Sequence, residues 1–145
     1  MQANKLATLQ RINLLSSEII GLYHQASFKI GLSDSVCRIL YALYTAGGSC
    51  LLSDIYKDFG ISKQTVNSAL RKLEEQDIIK LEQHYGKAKK VFLTELGKQK
   101  ADATISKMVA AEIGAFASWT EEEIATYIHL TQKYADTFRA QVKQL

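Results

Sequence analysis

The spacing of hydrophobic residues changes near residue 77 of this chain, and that change most limits the folds open to it. Before it, Val66, Leu70 and Leu73 recur at three- and four-residue steps, as on one face of a helix. After it, hydrophobic and polar residues alternate on both sides of a polar tip at Tyr85–Lys87. Such alternation around a glycine-containing tip is typical of a β-hairpin. The sequence therefore predicts a helix followed directly by a hairpin.

A second short helix is predicted immediately before these elements, over about Leu52 to Phe59. Ile55 and Phe59 are expected to face the core from it. Gly60 is expected to permit the sharp turn into the next helix, which Ser62 caps and which runs to about Glu75. Two short helices joined by a tight turn form a helix-turn-helix.

Amphipathic helices are predicted on both sides of this segment, and the 145 residues include no proline to interrupt them. One covers about Leu6 to Ile30, and a second starts at the cap residue Ser33. Thr94 caps a helix that runs to about Ala117, and a T-x-x-E capping box at Thr120 begins the last helix. The predicted fold is mainly α with a small β-hairpin wing. Residues 33–100 would form a winged helix-turn-helix lobe, flanked by helical segments 1–32 and 101–145 with broad apolar faces.

The second helix of the helix-turn-helix has a polar face without an acidic residue as far as Lys72. Thr65 and Lys72 lie at its flanks, and its centre is formed by Lys63, Gln64, Asn67, Ser68 and Arg71. Arginine and lysine can pair with guanine, and glutamine and asparagine with adenine. The helix N-terminus at Ser62 also favours an anion. The alternative is an ordinary solvated face, but such faces tend to mix both charge signs. We therefore expect this face to bind DNA.

Three lysines gather at the tip and descending strand of the hairpin: Lys87, Lys89 and Lys90. A wing with such lysines can lie along the DNA backbone or minor groove and neutralise phosphates. Lysines on an edge strand also keep a sheet from aggregating, and by themselves they fit both interpretations equally. Their position beside the polar helix favours DNA.

Two stretches resemble the MarR family of bacterial transcriptional regulators, and the resemblance extends over nearly the whole chain. They are S-K-Q-T-V-N-S-A-L-R-K-L-E-E-Q-D-I-I at Ser62–Ile79 and V-F-L-T-E-L-G-K at Val91–Lys98. The resemblance implies a recognition helix at Ser62–Glu75 and a wing at about Lys80–Leu93. It also implies a homodimer that reads a pseudo-palindromic site in double-stranded DNA. Most such proteins are repressors, and many are released by small anionic, phenolic or oxidising effectors.

The chain departs from the family pattern in two places. Asp77 stands after the recognition helix where glycine is common, and aspartate tolerates the left-handed backbone that such a turn needs. The wing has lysines in place of the common aspartate and arginine pattern, and lysine is less suited to fixed, planar hydrogen bonding.

The remaining reactive residues admit more than one interpretation. Cys37 or Cys50 could act as a redox sensor, although a buried, inert cysteine is the commoner state. Three tyrosines fit either an effector pocket or, more commonly, a hydrophobic core: Tyr23, Tyr41 and Tyr44. The three histidines form no close-spaced pair, so no metal site is predicted: His24, His84 and His129.

Neither a nucleophile, a phosphate-binding glycine loop nor an acid–base pair stands out, so we expect no enzyme and no cofactor. The net charge of +3 permits nucleic-acid binding without demonstrating it. Residues 1–11 lack a signal pattern and no apolar run could span a bilayer, which predicts a cytoplasmic protein without membrane contact. A helical interaction module that binds no DNA is the alternative.

Overall fold

A computed structural model of the protein describes residues 2–58 and 60–145. Within these residues the elements follow in the order α1 (Gln2–Lys29), α2 (Asp34–Thr45), β1 (Ser49–Leu51), α3 (Leu52–Tyr56), α4 (Lys63–Glu75), β2 (Ile79–Gln83), β3 (Lys89–Leu93), α5 (Glu95–Phe116) and α6 (Glu121–Val142). The predicted fold class is confirmed: the structure is mostly helical, with one small antiparallel sheet and a helix-turn-helix followed by a hairpin.

The sheet has three strands in the order β1-β3-β2, all antiparallel. In the hairpin, Ile79 lies opposite Leu93 and Gln83 lies opposite Lys89, so the predicted alternation sets the register. The sequence did not predict β1. Its central residue, Cys50, pairs with Val91 on the far side of the hairpin, and β1 therefore ties the segment before the helix-turn-helix to the wing.

The chain divides into two compact units, Met1–Met108 and Val109–Leu145, and the division falls within α5. The core of the first unit combines residues from α2, α4, the sheet and the start of α5. Its largest fully buried side chains are Ile39, Leu40, Leu43, Val66, Leu73, Ile79, Val91 and Ile105. The predicted inward face of α4 is thus confirmed, and Ile55 of α3 is also buried. Phe59 lies outside the described residues.

The four predicted helix caps are confirmed, since each depends on residues close in sequence. Ser33 accepts a hydrogen bond from the backbone of Val36, and Ser62 accepts one from Thr65. Thr94 Oγ1 accepts one from the amide of Gly97 at 3.0 Å. At the start of α6, Thr120 and Glu123 form the complete capping box, with bonds of 3.1 and 2.8 Å.

The two turns that border α4 differ in their chemistry. After α4, Asp77 has φ +57°, which confirms that aspartate adopts the left-handed backbone here. Before α4, Gly60 leaves room for a side chain, because a Cβ built on it would lie 1.9 Å from Nη1 of Arg38. The helix before this turn, α3, ends at Tyr56, earlier than predicted.

Candidate nucleic-acid interface

The structure brings most of the predicted reading residues together on the open face of α4. Val66, Ala69, Leu70 and Leu73 are buried and fix the rotation of this helix. The opposite face is exposed at Lys63, Gln64, Thr65, Ser68, Arg71 and Lys72, and the capping residue Ser62 is exposed as well. This face has no acidic side chain before Glu74. It is therefore cationic and rich in hydrogen-bond donors, which suits phosphates and base edges.

Asn67 differs from the other residues predicted to read DNA. It is half-buried, and its Oδ1 accepts a hydrogen bond from the hydroxyl of Tyr56 in α3. The ammonium group of Lys63 lies 4.7 Å from the centre of the same tyrosine ring. Tyr56 thus contacts two residues of α4 at once. These contacts of Tyr56 were not predicted, because the position of a tyrosine at the end of a short helix does not indicate which residues of another helix it will contact.

An ion pair braces the turn that joins the two helices. Arg38 of α2 and Asp58 are 2.7 Å apart between Nη1 and Oδ1, and Asp58 Oδ1 also accepts the amide hydrogen of Gly60 at 2.9 Å. The turn is therefore held by charge and hydrogen bonding from outside the helix-turn-helix segment. That arrangement positions the N-terminus of α4, where the reading face begins.

The three wing lysines occupy different surroundings. Lys87 and Lys89 are exposed, whereas Lys90 is half-buried with its ammonium 5.3 Å from the centre of the Phe92 ring. Lys80, on the neighbouring strand, lies 5.4 Å from the same ring and also forms a 3.1 Å ion pair with Glu82. Lys87 and Lys89 are accordingly the two wing cations most available to phosphates.

The tip of the wing is a tight turn with an exposed aromatic residue. The amide of His84 donates to the carbonyl of Ala88 at 2.8 Å, and Gly86 adopts φ +59°, which glycine accommodates without strain. Tyr85 is 82% exposed and packs edge-to-face on His84, with ring centroids 4.6 Å apart. The hairpin therefore projects a short, ordered tip beyond the sheet.

The family model described as MarR family matches residues 30–89, which include the helix-turn-helix, β2 and the tip of the wing. This part of the chain is similar to the MarR family of transcriptional regulators.

The chain is also similar to a known helix-turn-helix regulator and to solved structures. An uncharacterized HTH-type transcriptional regulator of Bacillus subtilis, YwhA, is 28% identical over 102 residues, which are 69% of this chain and 70% of that protein. The MarR-family regulator NMB1585 of Neisseria meningitidis has a similar structure, with a TM-score of 0.81 and 22% identity over 99% of this chain and 98% of that one. Bordetella bronchiseptica BpsR, whose DNA binding is regulated by 6-hydroxynicotinic acid, matches with a TM-score of 0.64 and 17% identity over 86% and 98%.

The two cysteines are shielded from solvent to different degrees. Cys37 is buried in the core face of α2. Cys50 is half-buried in β1, and its burial, followed by the nearby carboxylate of Asp54, raises the pKa of its thiol despite the opposing charge of Lys90. A raised pKa leaves less thiolate at neutral pH, and thiolate is the form that oxidants attack.

The histidines and the three tyrosines of the sequence analysis are spread over several elements of the fold. Within the part of the chain that the structure describes, no group of histidine, cysteine and acidic side chains is arranged to hold a metal ion. His24 instead lies 2.8 Å from the carboxylate of Asp34, which joins α1 to α2. Tyr41 and Tyr44 are half-buried, whereas Tyr23 is largely exposed. None of the helices that the structure describes has the length and apolar character required to cross a membrane.

Proposed function

We propose that this protein is a homodimeric repressor of the MarR family whose α4 reads base edges in the major groove. The exposed, acid-free face of α4 carries the proposal. Within it, Gln64 and Arg71 have the side-chain chemistry for bidentate base contacts, and Lys63 and Lys72 can neutralise phosphates. Ser62, Thr65 and Ser68 add hydroxyl groups close to the N-terminus of the helix, where anions are favoured.

The wing is proposed to bind the DNA backbone beside the groove that α4 enters. Lys87 and Lys89 are exposed, and Lys90 is partly shielded by Phe92. Contacts to phosphates position a protein on DNA, whereas contacts to bases specify the sequence. We therefore assign discrimination to α4 and general affinity to the wing.

The homodimer is proposed to form through the terminal helices, with residues 33–100 as the DNA-binding lobe and residues 1–32 and 101–145 as the dimerisation region. In α1, Leu6 and Ile20 are 66% and 64% exposed, and in α6 Ile128 and Phe138 are 62% and 54% exposed. Contiguous apolar surfaces of this kind mark interaction sites in soluble proteins. A two-fold axis would then present two α4 helices to successive major grooves of a pseudo-palindromic site.

A small-molecule effector is proposed as the signal that releases DNA, since the DNA binding of BpsR is regulated by 6-hydroxynicotinic acid. The raised pKa of Cys50 and the burial of Cys37 favour such an effector over an oxidative signal. Gel retardation with and without hydroxylated aromatic acids tests this part: release by such an acid supports it, and release by peroxide alone contradicts it.

Binding isotherms on selected and random duplexes test the proposed function. DNA is first selected from genomic fragments with the purified protein, and the wild type should enrich a few pseudo-palindromic fragments. Arg71→Ala should reduce the difference in binding free energy between selected and random DNA by about 1–3 kcal/mol, the usual contribution of a bidentate base contact. Lys133→Ala in α6 also removes one positive charge, but outside the proposed DNA-binding surface, and it should leave this difference in binding free energy unchanged. A wild type that enriches no fragment would indicate a helical interaction module instead.

Light scattering tests the homodimer separately. The wild type should be a dimer at micromolar concentration. Phe138 is exposed in the single chain, so Phe138→Asp would place a charge in the proposed interface and should shift the protein toward the monomer. A wild-type monomer at that concentration would contradict the proposed assembly.

A further inference from the structure

The side-chain amide of Asn67, on the predicted reading face, is hydrogen-bonded to the preceding helix. The hydroxyl of Tyr56 donates a hydrogen bond to Oδ1 of Asn67, and Asn67 is half-buried as a result. Gln64 and Arg71, on the same helix, are exposed. The amide of Asn67 is therefore oriented before any DNA arrives, and its oxygen is directed at α3.

This orientation changes what Asn67 can recognise. An asparagine that reads adenine uses both ends of its amide: the oxygen accepts from N6 and the nitrogen donates to N7. When Oδ1 is engaged by Tyr56, the two N–H donors of the amide remain for the ligand. Donors alone match acceptor groups, which the major groove presents side by side as O6 and N7 of guanine and singly as O4 of thymine. Adenine places its N7 acceptor beside an N6 donor, and that donor needs the amide oxygen that Tyr56 engages.

We propose, on the basis of the proposed DNA-binding function, that Tyr56 sets the base preference of Asn67. It does so by holding the amide in the orientation that presents N–H donors to the major groove. Tyr56 is thus a positioning residue, and Asn67 is a specificity residue for guanine or thymine rather than for adenine.

The role of the Tyr56 hydroxyl can be tested while the aromatic ring is kept. The Tyr56 ring also carries the ammonium of Lys63 at 4.7 Å from its centre. Phenylalanine keeps a ring for this cation–π contact and removes only the hydrogen bond to Asn67. Tyr56→Phe therefore changes the orientation of Asn67 while it preserves the support of Lys63.

The experiment selects duplexes with a randomised central segment and sequences the bound pool. Four proteins are compared: the wild type, Tyr56→Phe, Asn67→Ala and the double variant. The base pair that Asn67 reads is the one whose preference is lost in Asn67→Ala. We expect guanine or thymine there in the wild-type pool. Tyr56→Phe should weaken that preference roughly 2- to 10-fold, the worth of one hydrogen bond, and should admit adenine. In the Asn67→Ala background the same change should have no further effect on base preference.

The outcomes separate this inference from the proposed function. Adenine at the Asn67-dependent pair in the wild-type pool would overturn the inference, and this readout needs no Tyr56 variant to fold. A selective wild type with an unchanged Tyr56→Phe profile would also overturn it. A uniform loss of preference at every position in Tyr56→Phe would assign Tyr56 a purely structural role and would overturn it too. A wild type without sequence selectivity would overturn the proposed function and this inference together.

Discussion

Arg38 and Asp58 lie 2.7 Å apart, and the carboxylate oxygen that binds the guanidinium also accepts the amide hydrogen of Gly60 at 2.9 Å. The pair joins α2 to the turn before α4, and both contacts depend on the carboxylate of Asp58. The two side chains are 40% and 39% exposed, so solvent screens their attraction.

Asp58→Asn and Asp58→Ala should separate the two contributions to this turn. Asparagine removes the charge but keeps an oxygen for Gly60, and we expect it to cost roughly 0–1 kcal/mol of the free energy of unfolding. Alanine also removes the acceptor and should cost about 1 kcal/mol more. Urea denaturation at low and high salt measures both changes, with Asp136→Asn at the exposed Arg139 pair as the control. Equal losses for the two variants would show that the bond to Gly60 contributes nothing.

Gly97→Ala should be among the most damaging single substitutions in the chain. A Cβ at Gly97 would lie 2.0 Å from the carbonyl oxygen of Ile78, which already accepts the amide hydrogen of Thr94 at 3.0 Å. Backbone must move to admit the methyl group, and we expect a loss of about 3 kcal/mol or more in stability. Gly114→Ala in the same helix meets open space and should stabilise the protein by up to about 1 kcal/mol. Thermal unfolding of the two variants decides, and a Gly97→Ala protein as stable as the wild type would contradict the observed packing.

The reactivity of Cys50 should respond to its two charged neighbours in opposite directions. Burial and Asp54 raise the pKa of the thiol, and Lys90 lowers it. Because alkylation requires thiolate, the wild type should react with iodoacetamide more slowly at neutral pH than a free cysteine does. Asp54→Asn should lower the pKa and speed the reaction, whereas Lys90→Ala should raise the pKa and slow it. Mass spectrometry of the Cys50 peptide across a pH series gives the rates, with Asp102→Asn as a distant control. If Cys50 of the wild type reacted faster than free cysteine, the result would favour the redox-sensor hypothesis.

Lys89→Ala should lower the affinity for all DNA sequences to a similar extent. Lys89 is exposed on β3 and is proposed to contact a phosphate. Each lost phosphate contact should flatten the dependence of log affinity on log salt by about 0.9. Lys87→Ala should act in the same way, and discrimination between selected and random DNA should stay nearly intact. Isotherms at several salt concentrations measure both quantities. A lysine variant that lost discrimination while its salt dependence stayed steep would reverse the roles assigned to wing and helix.

The parts of the fold that depend on neighbouring residues were predictable from the sequence. The caps at Ser33, Ser62 and Thr120 and the alternation in the hairpin involve contacts within a few positions, and all are confirmed. β1 was missed because three residues are too few to show a period and its partner lies about forty residues away. The contact that Gly60 makes possible was not predictable for a similar reason, since the space it leaves is filled by Arg38 from another helix.

The candidate site divides along the same line. The inward rotation of α4 follows from its hydrophobic spacing, so the sequence indicated which side chains would be exposed. It could not indicate that Asn67 is engaged by Tyr56 or that Lys90 lies against Phe92. Both contacts are made between separate elements and depend on how those elements pack. The DNA contacts themselves stay predictions.

α6 spans 22 residues without one buried side chain, and only Ile124 is even half-buried. Most of the stability of a helix in a protein comes from the packing of its apolar face, so in the proposed homodimer the second copy supplies that packing for α6. The folding of α6 and the association of the two subunits are then coupled, and both depend on the protein concentration. Occupancy of a promoter would rise with the square of the free subunit concentration. A modest change in the number of copies per cell would therefore produce a larger change in gene expression.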